Sequence, residues 1–207
     1  MKLLKLIIIV FVVSFTAKSQ NTVLFLNGDK MEIKNFVVDT SNFLIKYNNK
    51  NNKEKFIDIS NVFSITDSLG NENVFYVPVK ISDDSDTFSV EQMRSFVKGQ
   101  FDADNEHKGK IAFGTGVVSG VGGVILFPGA MVFWSPVLPL GNAVLAGFTQ
   151  PKTSKVIKLH PEMENNEHYI LGYKEAARSK RTTAAIKGGA IGILLGILAS
   201  TIYINVK

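Results

Sequence analysis

The sequence predicts an α+β membrane protein: a small antiparallel β module, then amphipathic helices and two or three glycine-rich transmembrane helices. Three observations carry this. The 41 residues between Lys110 and Lys152 contain no Lys, Arg, Asp or Glu, in a chain that is 20% charged. A bilayer explains such a gap directly, because ionised side chains are costly in hydrocarbon. Residues 20–78 instead alternate short β-branched and aromatic runs with Asn, Asp and Gly turns. After residue 88, a unit of polar helix followed by glycine-rich apolar helix occurs twice.

The N-terminus bears on location. Lys2 and Lys5 accompany an apolar core from Leu6 to Phe15, and Ala17-Lys18-Ser19 places small residues at the −3 and −1 positions. This pattern predicts a secretory signal peptide over 1–19, cleaved before Gln20. Its core is short against the about 20 residues a membrane span needs. The chain has no cysteine, which removes disulfides, thiolate metal sites, a cysteine nucleophile and an acylated lipoprotein cysteine. The net charge of +5 is uneven: the leader carries three lysines, residues 20–110 eleven basic and fourteen acidic groups, and residues 151–207 nine basic and four acidic. A basic surplus beside an apolar segment points to anionic headgroups rather than nucleic acid.

Residues 20–78 form the exported β module. Val23 to Leu26 precedes the turn Asn27-Gly28-Asp29, and Met31 through Val38 reads as one second strand. Phe43 to Tyr47 follows the turn Asp39-Thr40-Ser41-Asn42, the run NNKNNKE is a hairpin loop, and Lys55–Asp58, Val62–Thr66 and Asn73–Val77 complete five or six strands. The order of an apolar strand, NGD, a longer strand ending in an Asp turn, then FIDISNVFSI resembles an SH3-like barrel of the Sm or cold-shock size. An RNA-binding role would need a basic, aromatic-studded face and cytoplasmic access. This module is acidic and bears an export signal, so no nucleic-acid partner is expected.

An acidic linker over 79–88 contains Asp83, Asp84 and Asp86, which read as a solvated charge run rather than a calcium site. Region 89–149 then opens with a capping box, Ser89 at N-cap and Gln92 at N3. Met93, Phe96, Val97, Gln100 and Phe101 share one helical face. This helix is expected either at the membrane surface or against its second copy. The copies are FVKGQFDADNEHKGKIAFGTGVVSGVGG from Phe96 and YILGYKEAARSKRTTAAIKGGAIGILLG from Tyr169, aligned without gaps. Thr115, Ser119 and Gly123 correspond to Gly188, Gly192 and Gly196. Ala184 and Ser200 extend the second row, and Ala112, Gly116 and Gly120 form a neighbouring row in the first. Residues four apart stack on one helix face, and a face without bulk lets helices approach closely, so these residues are the expected helix-packing set. Lys108, Lys110, Lys174, Arg178, Lys180, Arg181 and Lys187 form the expected membrane-surface basic collar.

Ile111 to Phe127 is 17 residues, about 25 Å of helix. Pro128-Gly129 is a turn signal, Ala130 to Phe148 is apolar again, and Gly188 to Val206 is the last candidate span within region 188–206. Two spans would leave the basic 150–187 region in the cytoplasm, as the positive-inside rule prefers. Three would make 111–148 a hairpin, which the Pro-Gly turn favours slightly.

Chemistry is sparse. Gly114 to Gly120 reads GxGxxxG, lacks the acid about 20 residues on that a dinucleotide fold requires, and has no βαβ context. His107, His160 and His168 form no HExxH pair, and no serine sits in GxSxG. No catalytic residue, metal or cofactor is expected. The NGD-containing module, KGQFDADNEHKGK, and HYILGYKEAARSK before GGAIGILLG resemble envelope membrane proteins of Bacteroidota type. That resemblance covers most of the chain and implies location and architecture, not an activity. The small-residue rows are also similar to glycine-zipper membrane domains. The expectation is a non-enzymatic cell-envelope protein, in the inner membrane rather than the outer, presenting its β module on a self-associating anchor. Its partners would be the lipid bilayer and further copies or other envelope proteins. The alternative is a small channel or a transport or secretion accessory subunit formed by oligomerised glycine-rich helices.

Overall fold

A computed structural model describes residues 20–49, 52–78, 87–126 and 135–206. The signal peptide, most of the acidic linker and the Pro128-Gly129 turn lie outside the described residues. The chain divides into two compact units, Met1–Thr87 and Phe88–Lys207. Antiparallel sheets build the first and helices the second, an α+β order.

The first unit holds β1 (Asn21–Phe25), β2 (Lys30–Ile33), β3 (Phe36–Asp39), β4 (Leu44–Asn48), β5 (Glu54–Asp58), β6 (Val62–Thr66) and β7 (Glu72–Val74). They form a four-stranded sheet in the order β2-β1-β6-β7 and a three-stranded sheet β3-β4-β5. The stretch expected as a single second strand is two. Ile33 ends a strand paired with β1, Phe36 begins one paired with β4, and the chain changes sheet at Lys34-Asn35. The Asn21 side-chain amide donates to the Lys34 carbonyl at 2.6 Å and fixes that crossing. Val23, Ile33, Ile45, Ile57, Val62 and Ile65 make one core from both sheets, each burial stabilising by about 1.5–3 kcal/mol.

Carboxylates hold the turns. Gly28 takes the φ of 84° that the β1–β2 turn requires, while the Asn27 side-chain amide donates to Asp29 at 2.8 Å. Asp39 accepts from the Asn42 side chain at 3.0 Å and the Asn42 backbone at 3.2 Å, and pairs with Lys46 at 3.2 Å. These contacts pull its carboxyl down to about 2. Asp58 is held low by the Ser60 hydroxyl and amide, and Asp67 by the Asn71 side chain and amide.

The second unit comprises α1 (Val90–Glu106), α2 (Lys110–Leu126), α3 (Val137–Phe148), α4 (Thr153–Leu159) and α5 (Glu167–Val206). The Ser89/Gln92 capping box starts α1. The helix ends at His107, and Gly109 at φ 57° redirects the chain into α2, bent by 63° from α1. Asn166 caps α5, its side-chain oxygen accepting from the Tyr169 amide at 3.0 Å. Pro139 falls in the first turn of α3, where a missing N–H costs nothing. The 40-residue α5 contains a segment long and apolar enough to cross a membrane.

Candidate functional site

α5 is the spine of the second unit, with α1 against its N-terminal part and α2 further along. Phe96 meets Gly172, Asp104 meets Lys180, Phe113 meets Gly188 and Val124 meets Gly196. Residue numbers rise together on both sides, so the two copies of the repeat run parallel, each against its own counterpart. The face of α1 containing Val97, Gly99, Gln100 and Ala103 is buried, so α1 packs on its second copy.

Glycines set the separation. The position a Cβ would occupy on Gly99, Gly116 and Gly120 lies against the carbonyl oxygens of Tyr169, Ala185 and Gly189. The converse holds for Gly172, Gly188 and Gly192, which face the carbonyls of Phe96, Phe113 and Val117. Each glycine thus presents a Cα hydrogen where another residue would present a methyl, giving a reciprocal ladder of Cα–H···O contacts. The seam resembles an isologous dimer interface closed inside one chain.

α3 runs against this pair. Gly123 meets Ser135, a Cβ on Gly189 would lie 2.5 Å from the Pro139 Cβ, and Gly147 meets Thr182. From Ser135 to Thr149 the chain therefore returns to the level of Arg181, whose guanidinium Nη1 donates to the Thr149 carbonyl at 3.0 Å.

Of the expected packing residues, Gly116, Gly120, Gly123, Gly188, Gly192 and Gly196 are buried at these contacts. Ala112, Ser119, Ala184 and Ser200 are half-buried. The Ser119 and Ser200 hydroxyls return to the carbonyls of Gly116 and Ile197, each at 2.8 Å. Thr115 is exposed, bonding the Ala112 carbonyl at 3.1 Å, and lies off the seam. The row through Ala112, Gly116 and Gly120 points at α5 more directly than the row through Thr115.

A polar clasp closes the end of the seam outside the apolar segment. The Tyr169 hydroxyl donates to Asp102 and the Tyr173 hydroxyl to Glu106, both at 2.9 Å. His160 Nε2 lies 3.0 Å from the other Glu106 oxygen, and its ring abuts both tyrosines. Lys98 donates to Asp102 at 3.0 Å and sits over the Tyr169 ring. Burial first, then these carboxylates, push both phenols well above their ordinary range. Nothing in the repeat alignment signals this clasp, because His160 lies between the copies.

The basic collar divides. Lys174 donates to Thr153 at 2.6 Å, Lys180 pairs with Asp104 at 2.8 Å, and Arg181 Nε donates to His107 Nε2 at 2.9 Å. Burial, followed by the charges of Arg181, Lys155 and Lys180, lowers the His107 pKa and favours the neutral ring that accepts this bond. Lys108, Lys110, Arg178 and Lys187 are exposed. Lys108, Lys110, Lys155 and Arg181 line a cleft of about 760 Å³ between the α1–α2 bend, the end of α3 and α5. Among the described residues no group of three His, Asp or Glu is placed to hold a metal ion. Comparison with family models, with curated proteins and with solved structures returns no match for this chain.

Proposed function

We propose that the protein is a non-enzymatic cell-envelope membrane protein that presents an extracytoplasmic β module, of SH3-like size, on a glycine-packed helical anchor. The observation that carries this reading is an inversion of side-chain size in the second unit. Between α2 and α5 the buried residues are glycine and alanine apart from Val124, whereas Val118, Ile125, Leu145, Leu194 and Leu198 stand exposed on the outer faces of α2, α3 and α5. Water would drive the reverse arrangement; hydrocarbon solvates large side chains outside and rewards close backbone packing inside.

The antiparallel course of α3 supports the hairpin arrangement. α2 and α5 enter from the collar side and α3 returns to it, so with an exported N-terminus the collar lies outside the inner membrane in this reading. The zipper glycines pack within one chain, so association between copies falls to the outward row Gly114, Val118 and Gly122. Around Gly114 and Gly122 nothing described lies within 4 Å of a Cβ position.

Topology reporters fused after residues 90, 165 and 207 test the reading. The first two are expected outside and the third in the cytoplasm, with full-length protein resisting carbonate extraction from membranes. Recovery of intact protein in the soluble periplasmic fraction would overturn it.

A further inference from the structure

We propose that the cleft beside Arg181 seats one anionic lipid, with its phosphate among Lys108, Lys110, Lys155 and Arg181 and its acyl chains along Ile111 and Leu145. The proposal rests on the membrane reading above and adds a specific ligand to it. Charge is the first argument. Those four cations face one acid, Glu106, whose carboxylate oxygens are already engaged by His160 and Tyr173. Lys108, Lys110 and Lys155 have no ion-pair or hydrogen-bond partner among the described residues. Arg181 commits donors to His107 and Thr149 and retains others on its fork.

Placement is the second argument. Lys110, Ile111 and Ala112 form the first turn of α2, so their N–H groups lack intrahelical acceptors and add positive potential where the lysines converge. Asn142 also lines the cleft, and its side-chain nitrogen is buried with no hydrogen-bond partner among the described residues. Rotation of that amide toward the cleft would offer its unused donor to a phosphate or glycerol-ester oxygen.

Polarity is the third argument and selects a lipid over a free anion. The cleft lies at the start of the charge-free interval, and its lining mixes the four cations with the apolar side chains of Ile111 and Leu145, 84% and 67% exposed. Inorganic phosphate has no use for an apolar wall. A phosphodiester on two acyl chains suits both kinds of lining, and short-range attraction to basic residues adds to membrane partitioning.

Native mass spectrometry of the full-length protein in detergent tests the proposal, with phosphatidylglycerol, phosphatidylcholine and inorganic phosphate as probes. One phosphatidylglycerol is expected to remain bound. The double variant Lys110→Gln/Lys155→Gln should bind it about thirtyfold more weakly, and the charge-matched Lys152→Gln/Lys158→Gln should bind as the wild type does. Leu145→Ser, which removes part of the apolar wall at an exposed position and keeps every charge, should also weaken phosphatidylglycerol binding. Unchanged melting temperatures establish that these variants fold. Equal affinity for phosphatidylcholine, undiminished binding by the Lys110/Lys155 variant, or displacement by inorganic phosphate overturns the proposal. A protein that fractionates with membranes yet retains no phosphatidylglycerol refutes the site and leaves the membrane reading standing.

Discussion

Gly99 and Gly172 hold the same place in the two copies of the repeat, and each lies against the backbone of the other copy. Gly99 faces the Tyr169 carbonyl and Gly172 faces that of Phe96. Phe96 and Tyr169 are themselves equivalent, so the contact is self-complementary.

Reciprocity makes the two glycines comparable. Gly99→Ala and Gly172→Ala should each destabilise the helical unit by about 1–3 kcal/mol through overpacking. Because one separation serves both contacts, the double variant should cost less than the sum. Reversible unfolding in detergent measures all three, and strict additivity would argue against a shared seam.

Within α2, position decides tolerance. A Cβ on Gly120 would come 2.8 Å from the Gly192 Cα, whereas none of the described atoms lies within 4 Å of one on Gly122. Gly120→Leu should therefore destabilise the protein by about 3 kcal/mol or more, and Gly122→Leu should leave the melting temperature of the dissociated single chain unchanged. Equal losses would place the seam elsewhere.

The clasp is sensitive to alkali. Tyr169 and Tyr173 have phenol pKa values raised above the ordinary about 10. The neutral phenol is favoured by folding, so its stabilisation is complete below pH about 10 and is lost as the pH rises toward the folded values. Phenolate absorbance should show both hydroxyls resisting ionisation in the native protein. Tyr173→Phe should remove about 1–2 kcal/mol and abolish one of these late titrations.

The β module is sensitive to acid. Asp39 titrates near 2, below the unfolded about 3.9. Its contribution is therefore full above pH about 4 and disappears as pH falls toward 2. Carboxyl carbon shifts in the native protein should report the low value, and Lys46→Ala together with Asn42→Ala should return it to the ordinary range.

Ser64 offers a gain. Its hydroxyl is buried in β6 with no hydrogen-bond partner among the described residues. Ser64→Ala should raise stability by about 1 kcal/mol, read as a higher denaturation midpoint in the β module.

Local signals in the sequence were reliable where one short segment determines its own shape. Ser89 with Gln92 starts α1, and Asn27-Gly28-Asp29 turns β1 into β2, because capping and turn geometry are decided within four residues. The break at Lys34-Asn35 was hidden, since Met31 to Val38 alternates plausibly as one strand and only pairing to different sheets divides it. The repeat disclosed which glycines correspond but not that the copies run side by side in the same direction. Thr115 aligns with Gly188 without gaps, yet the reciprocal contacts pair Gly116 with Gly188, the one against the Ala185 carbonyl and the other against that of Phe113, so the copies slip by one residue across the α1–α2 bend. The joining of His160 to Glu106, and the placing of Asn142 in the same cleft as the collar lysines, depends on where α3 and α4 return. No spacing rule encodes that.

Parallel pairing also fixes what the intervening chain is for. After Gly123 the polypeptide stands at the far end of the bundle, and Tyr169 must begin again at the near end, so the 45 residues from Val124 to His168 are a tether as well as a structural arm. Their covalent closure replaces an encounter between two molecules with one inside a single molecule, at an effective concentration set by linker reach. A tether cut too short to span the bundle would leave each first copy to find its mate on a neighbouring chain. The same glycine seam would then assemble a domain-swapped, concentration-dependent dimer from an unchanged set of contacts.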